Sequence, residues 1–121
     1  MHNLFIHGTL RRGCSNNKLL SGADFIGCAE TTQDYALFMV DKKPLITKRP
    51  VSKIKGDVYS MTEDMLTMVD RLKGHPRINK RELVSVKLED GKTIEAWLYF
   101  HIHPLRNSIL IESGEYTEQK T

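Results

Sequence analysis

The sequence predicts a mixed α+β domain folded as a small closed or nearly closed barrel. Three observations indicate that class: short apolar segments of strand length recur along the chain, one segment has the periodicity of a helix, and two alternating segments are joined by a tight turn. The chain has 121 residues, of which 40% are hydrophobic and 27% are charged. These values are ordinary for a globular protein, so a single domain is expected over the whole chain.

The N-terminal part of the chain is predicted to begin with a short strand. Residues 4–6 are an apolar run that ends where Gly8 makes a turn. A short helix is expected from about residue 16 to residue 20, with Ser15 as its N-cap. Gly8 and Gly13 therefore bracket a loop between these two elements.

The middle of the chain is expected to contain three strands. Residues 25–40 have the pattern of two strands that are interrupted at residues 32–34, and residues 54–61 have the pattern of another. The cationic segment at residues 48–55 contains Pro50. We interpret that segment as a solvated loop rather than as a binding patch.

The clearest helix is predicted over residues 63–73. Thr62 is a good N-cap, and Gly74 follows the last helical residue, where a glycine commonly ends a helix. The spacing of the apolar residues predicts a stripe that faces the core. Its members are Met65, Leu66, Val69 and Leu72.

The clearest hairpin follows the helix. Residues 84–88 and 94–100 alternate between apolar and polar side chains, and Asp90-Gly91 between them is typical of a two-residue hairpin turn. The polar tail from about residue 112 is expected to have a loose end.

Composition and charge exclude several classes of function. The net charge is only +3, and the sequence has no cationic cluster of the kind that follows a phosphate backbone. No nucleic-acid partner is therefore expected. The sequence has no apolar run of about 18 residues, so no membrane segment is expected. The N-terminal residues do not have the pattern of a secretory signal. We therefore expect Cys14 and Cys28 to be free thiols and the location to be cytoplasmic.

The segment from Phe5 to Gly13 is the most informative for function. A buried strand that ends in a glycine turn exposes backbone N–H groups, which suit a carboxylate or carbonyl oxygen. The same pattern also fits a plain structural turn. The motifs that follow this segment in the chain favour a ligand-binding loop over a structural turn.

An ordered set of motifs resembles the gamma-glutamylcyclotransferase-like (AIG2-like) family over about residues 4–99. The first motif, His7-Gly8-Thr9-Leu10-Arg11-Arg12-Gly13, is followed by Asn16-Asn17, Tyr35-Ala36-Leu37, Pro44, Gly56-Asp57-Val58-Tyr59, Val69-Asp70, Gly74 and Arg81. The resemblance implies a six-stranded β-barrel with flanking helices and a pocket at the barrel mouth. It implies that His7, Gly8, Thr9, Leu10, Asn79 and Arg81 contact the substrate.

The resemblance also implies a reaction. Family enzymes cleave gamma-glutamyl amides: the α-amine of the substrate attacks its own γ-carbonyl, and 5-oxoproline is released. A glutamate serves as general base and acid, so neither a metal nor a cofactor is needed. In this sequence Lys73 stands where that glutamate is expected, His7 replaces an aromatic residue, and Asn79 replaces a tyrosine.

The substitution at residue 73 leaves the catalytic group open. Lys73 itself is one candidate, if desolvation lowers its pKa. His75 and Glu82, outside the motif, and His7, in the pocket loop, are three others. Arg71 and Arg77 near Lys73 favour an anionic ligand. His101 and His103 have the spacing of two metal ligands, but without an evident third ligand no metal site is predicted.

Three functional hypotheses remain from the sequence. The first is an enzyme acting on a gamma-glutamyl or related amide with an altered catalytic group. The second is a binding module for a small anionic compound, without turnover. The third is an inhibitor or adaptor that uses the barrel as a scaffold for a protein partner.

Overall fold

The computed structural model describes residues 1–118, which contain eight strands and one α-helix. In chain order they are β1 (His2–Ile6), β2 (Asp24–Thr31), β3 (Tyr35–Val40), β4 (Lys43–Ser52), β5 (Lys55–Met61), α1 (Glu63–Lys73), β6 (Asn79–Leu88), β7 (Thr93–His101) and β8 (Ile109–Leu110). A short 3₁₀ helix, Asn17–Leu20, lies between β1 and β2. The predicted strands, hairpin and main helix are all present.

Five strands close into a barrel in the order β1-β5-β2-β6-β7. The ring is closed by a parallel pairing of β1 with β7, in which Leu4 is opposite Trp97. The other three strands form a separate sheet in the order β4-β3-β8. The predicted barrel class is therefore confirmed, but the barrel described here has five strands rather than six.

The second half of strand β4 lies within residues 48–55, where the sequence predicted a solvated loop. It pairs with β3, but the register jumps from Thr47, opposite Ala36, to Ser52, opposite Tyr35. The residues between Thr47 and Ser52 therefore have no partner in β3, and Pro50 is one of them. A bulge of this kind accommodates a proline that could not donate to a regular ladder, and this explains why Pro50 does not prevent the strand.

Strand β1 is buried on both of its faces. Phe5 belongs to the cluster that fills the barrel, while Leu4 and Ile6 belong to a second cluster formed with α1. The helix contributes Leu66 and Val69 to that second cluster. Because side chains alternate along a strand, one strand of five residues links both parts of the core.

The predicted ends of α1 are confirmed. The backbone N–H of Met65 donates to Oγ1 of Thr62 (3.3 Å), and Gly74 ends the helix in a left-handed conformation with φ 68°. The prediction that Leu72 faces the core is wrong, since 56% of this residue is exposed. The last turn of α1 borders an open cavity, so Leu72 meets solvent there.

Two further local predictions need correction. Ser15 does not cap the short helix, because its N–H and hydroxyl both donate to the carboxylate of Glu118 instead. The polar tail is held in place as far as residue 118: Tyr116 is buried, and the N–H of Lys55 donates to the carbonyl of Gly114 (2.9 Å). The predicted loose end at residues 119–121 lies outside the described residues.

Two absences concern the described residues. Within residues 1–118, none of the helices has both the length and the apolar character needed to cross a bilayer. No disulfide joins Cys14 and Cys28.

Candidate functional site

Two cavities lie beside the C-terminal ends of β1 and α1. The inner one is a recess of about 10 Å³, roughly the space of one water molecule, and the outer one is an open cavity of about 650 Å³. Leu10 and Lys73 form part of the wall of both. The inner wall is completed by Leu4, Phe5, Ile6, His7, Gly8, Val69 and Tyr99. The loop after β1 and the end of α1 are thus brought together, as the motifs predicted.

Buried Asp57 ties the loop after β1 to strand β5. Its carboxylate accepts hydrogen bonds from the backbone N–H of Arg12 (2.8 Å) and from the guanidinium of Arg11 (3.3 Å). Burial alone would lower the pKa of Arg11, but the neighbouring carboxylates of Asp57 and Glu115 raise it. The ion pair between Arg11 and Asp57 therefore anchors the loop to strand β5.

Two asparagines hold the other side of the loop. The side-chain amide of Asn17 donates to the carbonyl of Leu10 (2.8 Å), and that of Asn16 donates to Oγ1 of Thr9 (2.9 Å). Among residues 1–118, no backbone carbonyl accepts a hydrogen bond from the N–H groups of residues 8–10. The anchored loop therefore leaves those N–H groups available to an anion.

Gly8 makes a close contact with strand β4. A Cβ atom at this position would lie 2.7 Å from Cγ of Pro44, and the ring of Pro44 is part of the outer cavity's wall. A side chain at residue 8 would displace that wall, so the glycine preserves the shape of the cavity.

His7 is a buried and neutral residue. The residue is 6% exposed, and Nδ1 has no hydrogen-bond partner among the described residues. Burial lowers its pKa to about 3, with additional effects from the charges of Lys73 and Arg11. A ring with this pKa holds a proton too weakly to take one from an ammonium group at neutral pH.

Lys73 is a largely buried cation in a mostly apolar recess. Burial lowers its pKa from the ordinary lysine value. In the described part of the chain, none of the ion pairs involves Lys73, and its backbone carbonyl accepts a hydrogen bond from Nδ2 of Asn79 (2.7 Å). Asn79 therefore fixes the end of α1 at the point where the amine enters the recess.

Three other residues predicted for the site have partners of their own. Arg81 binds Asp70 and does not line either of these cavities, so its substrate contact stays a prediction. Nδ1 of His75 accepts a hydrogen bond from the N–H of Arg81 (3.2 Å). Glu82 pairs with Lys48 (2.7 Å) on the surface. Catalytic roles for His75 and Glu82 stay untested.

Comparison with known proteins identifies the family. A family model described as gamma-glutamyl cyclotransferase, AIG2-like, matches residues 4–118. The chain belongs to this family. A protein of Methanocaldococcus jannaschii, provisionally named a gamma-glutamylcyclotransferase, is 38% identical over 121 residues, which is 99% of each chain. Gamma-glutamylaminecyclotransferase A of Danio rerio is 31% identical over 108 residues, covering 80% of this chain and 67% of its own.

Solved structures confirm the fold of a gamma-glutamyl cyclotransferase, AIG2-like protein. An AIG2-like protein of mouse superposes with a TM-score of 0.87 at 24% identity, covering 97% of this chain and 88% of that one. An uncharacterised protein of Pyrococcus horikoshii superposes with a TM-score of 0.72 at 24% identity, covering 95% and 89%. At this level of identity the similarity establishes the barrel and not the chemistry.

In this family member, Asp70 joins α1 to strands β6 and β7. Its carboxylate accepts hydrogen bonds from Nε of Arg81 (2.9 Å) and from the hydroxyl of Tyr99 (2.6 Å), and the Arg81 guanidinium lies 4.2 Å from the ring centre of Trp97. Burial alone would raise the pKa of Asp70, but the hydrogen bonds from Arg81 and Tyr99 lower it overall. Since Tyr99 lines the inner recess, the network fixes one wall of the site.

Asp70→Asn should therefore reduce stability in a pH-dependent way. The pKa of Asp70 in the folded protein lies below its unfolded value of about 3.9. Its carboxylate therefore contributes fully to the free energy of unfolding above that pH, and this contribution is lost as the pH falls through the folded-state pKa. We expect the variant to lose about 1.5–3 kcal/mol of unfolding free energy at pH 7. Urea unfolding between neutral and acid pH measures this difference, which should shrink in acid. Asp24→Asn, at an exposed position, is the control and should be nearly neutral.

Sequence reasoning missed most of the outer wall. Leu19, Lys42, Lys43, Ile78 and His101 line the larger cavity, although they come from separate segments of the chain. None of them carries a local signal of its own, because the fold alone brings them together.

Among residues 1–118, no group of three or more His, Cys, Asp or Glu residues could hold a metal ion.

Proposed function

We propose that this protein binds a gamma-glutamyl compound, or a related small carboxylate, without releasing 5-oxoproline. The observation that carries the proposal is the amine of Lys73, which is largely buried and lacks a carboxylate partner in residues 1–118. A buried charge without a partner is costly, and an anionic ligand would supply the missing countercharge. Residues 8–10 line the same cavities, and their N–H groups, which no backbone carbonyl of residues 1–118 engages, are further candidate donors.

The chemistry of Lys73 and His7 supports the proposal that 5-oxoproline is not released. Cyclisation of a gamma-glutamyl amide requires the substrate's ammonium group to lose a proton before its nitrogen attacks. Lys73, when charged, has no lone pair to accept that proton, and His7 with a pKa of about 3 is too weak a base. The inner recess therefore retains groups that hold a carboxylate, while neither charged Lys73 nor His7 is suited to accept the proton.

A second candidate function follows from the lowered pKa of Lys73. If the amine is neutral in part of the population, it can accept the ammonium proton in place of a carboxylate. This enzyme would release 5-oxoproline at a rate that rises with pH until the amine is fully deprotonated. A pH–rate profile of the unmodified protein distinguishes it from the binding protein.

Lys73→Met tests the proposed binding function. Methionine keeps most of the side chain's volume and removes the charge, so affinity for glutarate and for gamma-glutamylmethylamide should fall at least about tenfold. The unliganded variant should be more stable by about 0.5–2 kcal/mol, because it no longer buries an unpaired cation. Calorimetric titration measures the first effect and thermal unfolding the second.

The matched control is Lys92→Met, which removes a lysine from the exposed turn between β6 and β7. It should change neither affinity nor stability appreciably. Equal affinity of Lys73→Met and the unmodified protein would contradict a role for Lys73 in binding. A cytoplasmic location is part of the proposal.

A further inference from the structure

A groove against strands β2, β5 and β6 shares no lining residue with the two cavities of the candidate site. Its volume is about 350 Å³, at the lower end of the range for sites that bind small molecules. Its charged lining residues are three cations and three carboxylates, namely Arg11, Lys55, Lys87, Glu30, Glu89 and Glu115. The groove is therefore a separate site of balanced charge.

The strand register places unpaired charges of both signs in the groove. Ala29 belongs to the cluster that fills the barrel, so the alternation of side chains turns Glu30 to the outer face of β2. Glu30 is opposite Lys55 of β5 and opposite Lys87 of β6, where opposite charges are close enough to interact. Among residues 1–118, however, none of the ion pairs includes Glu30, Lys55, Lys87 or Glu89. Both signs of charge are thus available to a ligand.

The thiol of Cys28, which also lines the groove, is not an activated nucleophile. Burial, followed by the charges of Asp57 and Glu89, raises its pKa, and the reactive thiolate is therefore disfavoured. Binding in the groove consequently depends on its fixed charges. A ligand with one charge would meet repulsion from the like charges, whereas a dipolar ligand matches both signs.

We propose that the groove binds a free α-amino acid as its zwitterion. The carboxylate of the amino acid pairs with Lys55 and Lys87, and its ammonium group donates to Glu30 and Glu89. The two charges of an α-amino acid are close together, as are charges on neighbouring strands. No aromatic residue of the described chain lines the groove, which disfavours a quaternary ammonium compound in its place. The proposal does not depend on the gamma-glutamyl site.

Four probes with the same side chain test the charges separately. L-leucine carries both, isopentylamine lacks the carboxylate, 4-methylpentanoate lacks the ammonium group, and N-trimethylated leucine lacks the ammonium N–H donors. In NMR titrations of the ¹⁵N-labelled full chain, leucine should move the amide signals of residues 28–30 and 55–56. We expect a Kd on the order of 1 mM, at least about threefold tighter than for each other probe.

Three outcomes of these titrations would overturn the proposal. The first is the absence of signal changes in the groove at about 20 mM leucine. The second is a preference for leucine smaller than about threefold over any of the other probes. The third is movement confined to residues 71–78, which would place leucine in the outer cavity instead.

Charge variants of the groove provide a second test. Glu30→Gln should weaken leucine binding and strengthen binding of 4-methylpentanoate, because the two lysines then lack the carboxylate between them. Changing both Lys55 and Lys87 to Gln should instead bring the affinity for leucine down to that for isopentylamine. Glu30 is half-buried and both lysines are exposed, so these variants should fold.

The matched control is Glu95→Gln, at an exposed position of β7 outside the groove. It should keep the order of affinities of the unmodified protein. A loss of stability alone would weaken binding of all four probes together, whereas the proposal requires opposite changes for leucine and 4-methylpentanoate in Glu30→Gln. An unchanged order of affinities in both groove variants would contradict the proposal.

Discussion

We expect Lys73→Glu to release 5-oxoproline from gamma-glutamyl amides much faster than the unmodified chain does. The change restores a carboxylate at the position where the family pattern has its general base. The burial that lowers the pKa of Lys73 should raise that of a glutamate there, which makes it a stronger base. A positioned general base contributes about 10²- to 10⁴-fold in rate, so release of 5-oxoproline should rise from background to an easily measured level.

Lys73→Gln is the matched control for this experiment. It has the size of glutamate without a basic oxygen, so it should remain at background. The fairer test adds tyrosine at His7 and Asn79, the other two positions that depart from the family pattern. Asn79 holds the carbonyl of residue 73, so the triple variant should be less stable, and its folding is checked by thermal unfolding. Release no greater than that of Lys73→Gln by both glutamate variants would contradict the role assigned to residue 73.

Gly56→Ala should be the most damaging of the small substitutions considered. A Cβ atom there would collide with the carbonyl oxygen of Ile6 and would lie 2.8 Å from the ring of Phe5, which is 1% exposed. Neither group can move without separating β1 from β5 or opening the barrel core. We expect a loss of about 3 kcal/mol in unfolding free energy, or about 10 °C in melting temperature.

Gly22→Ala provides a control in which the nearest side chain lies at the same nominal distance, without a backbone collision. A Cβ atom at residue 22 would lie 2.8 Å from the terminal methyl of Met65, a flexible side-chain end that can turn away. Its effect should therefore be small. Similar melting temperatures for the two variants would show that the barrel wall at Gly56 is softer than the packing indicates.

Local signals made the helix and the hairpin predictable from the sequence. Thr62 and Gly74 mark the two ends of α1, and Asp90-Gly91 marks the turn between β6 and β7, each within a few residues of the element it limits. Strand β4 was missed because its pairing with β3 is irregular, with Pro50 in the unpaired stretch. The number of barrel strands depends on such pairings between distant segments, which periodicity does not report.

Part of the candidate site was likewise predictable from local motifs, and part depends on the fold. The loop of residues 7–10 and the position of Lys73 were predicted from motifs, and the structure brings both to the walls of the same cavities. The loop's anchor, Asp57, and the apolar outer wall around Ile78 were not predicted, because both depend on contacts between residues far apart in sequence. Leu72 was assigned to the core since periodicity cannot show that the last helical turn has no core beside it.

The most direct test of the account follows ligand and product in one sample of the unmodified protein. Equilibrium dialysis against isotopically labelled gamma-glutamylmethylamide, followed by mass spectrometry, measures bound compound and released 5-oxoproline together. With Lys73 at the position of the family glutamate, we predict that the compound is bound and recovered intact, with no 5-oxoproline above a protein-free control. Release of many equivalents of 5-oxoproline per protein molecule would contradict a binding function without turnover.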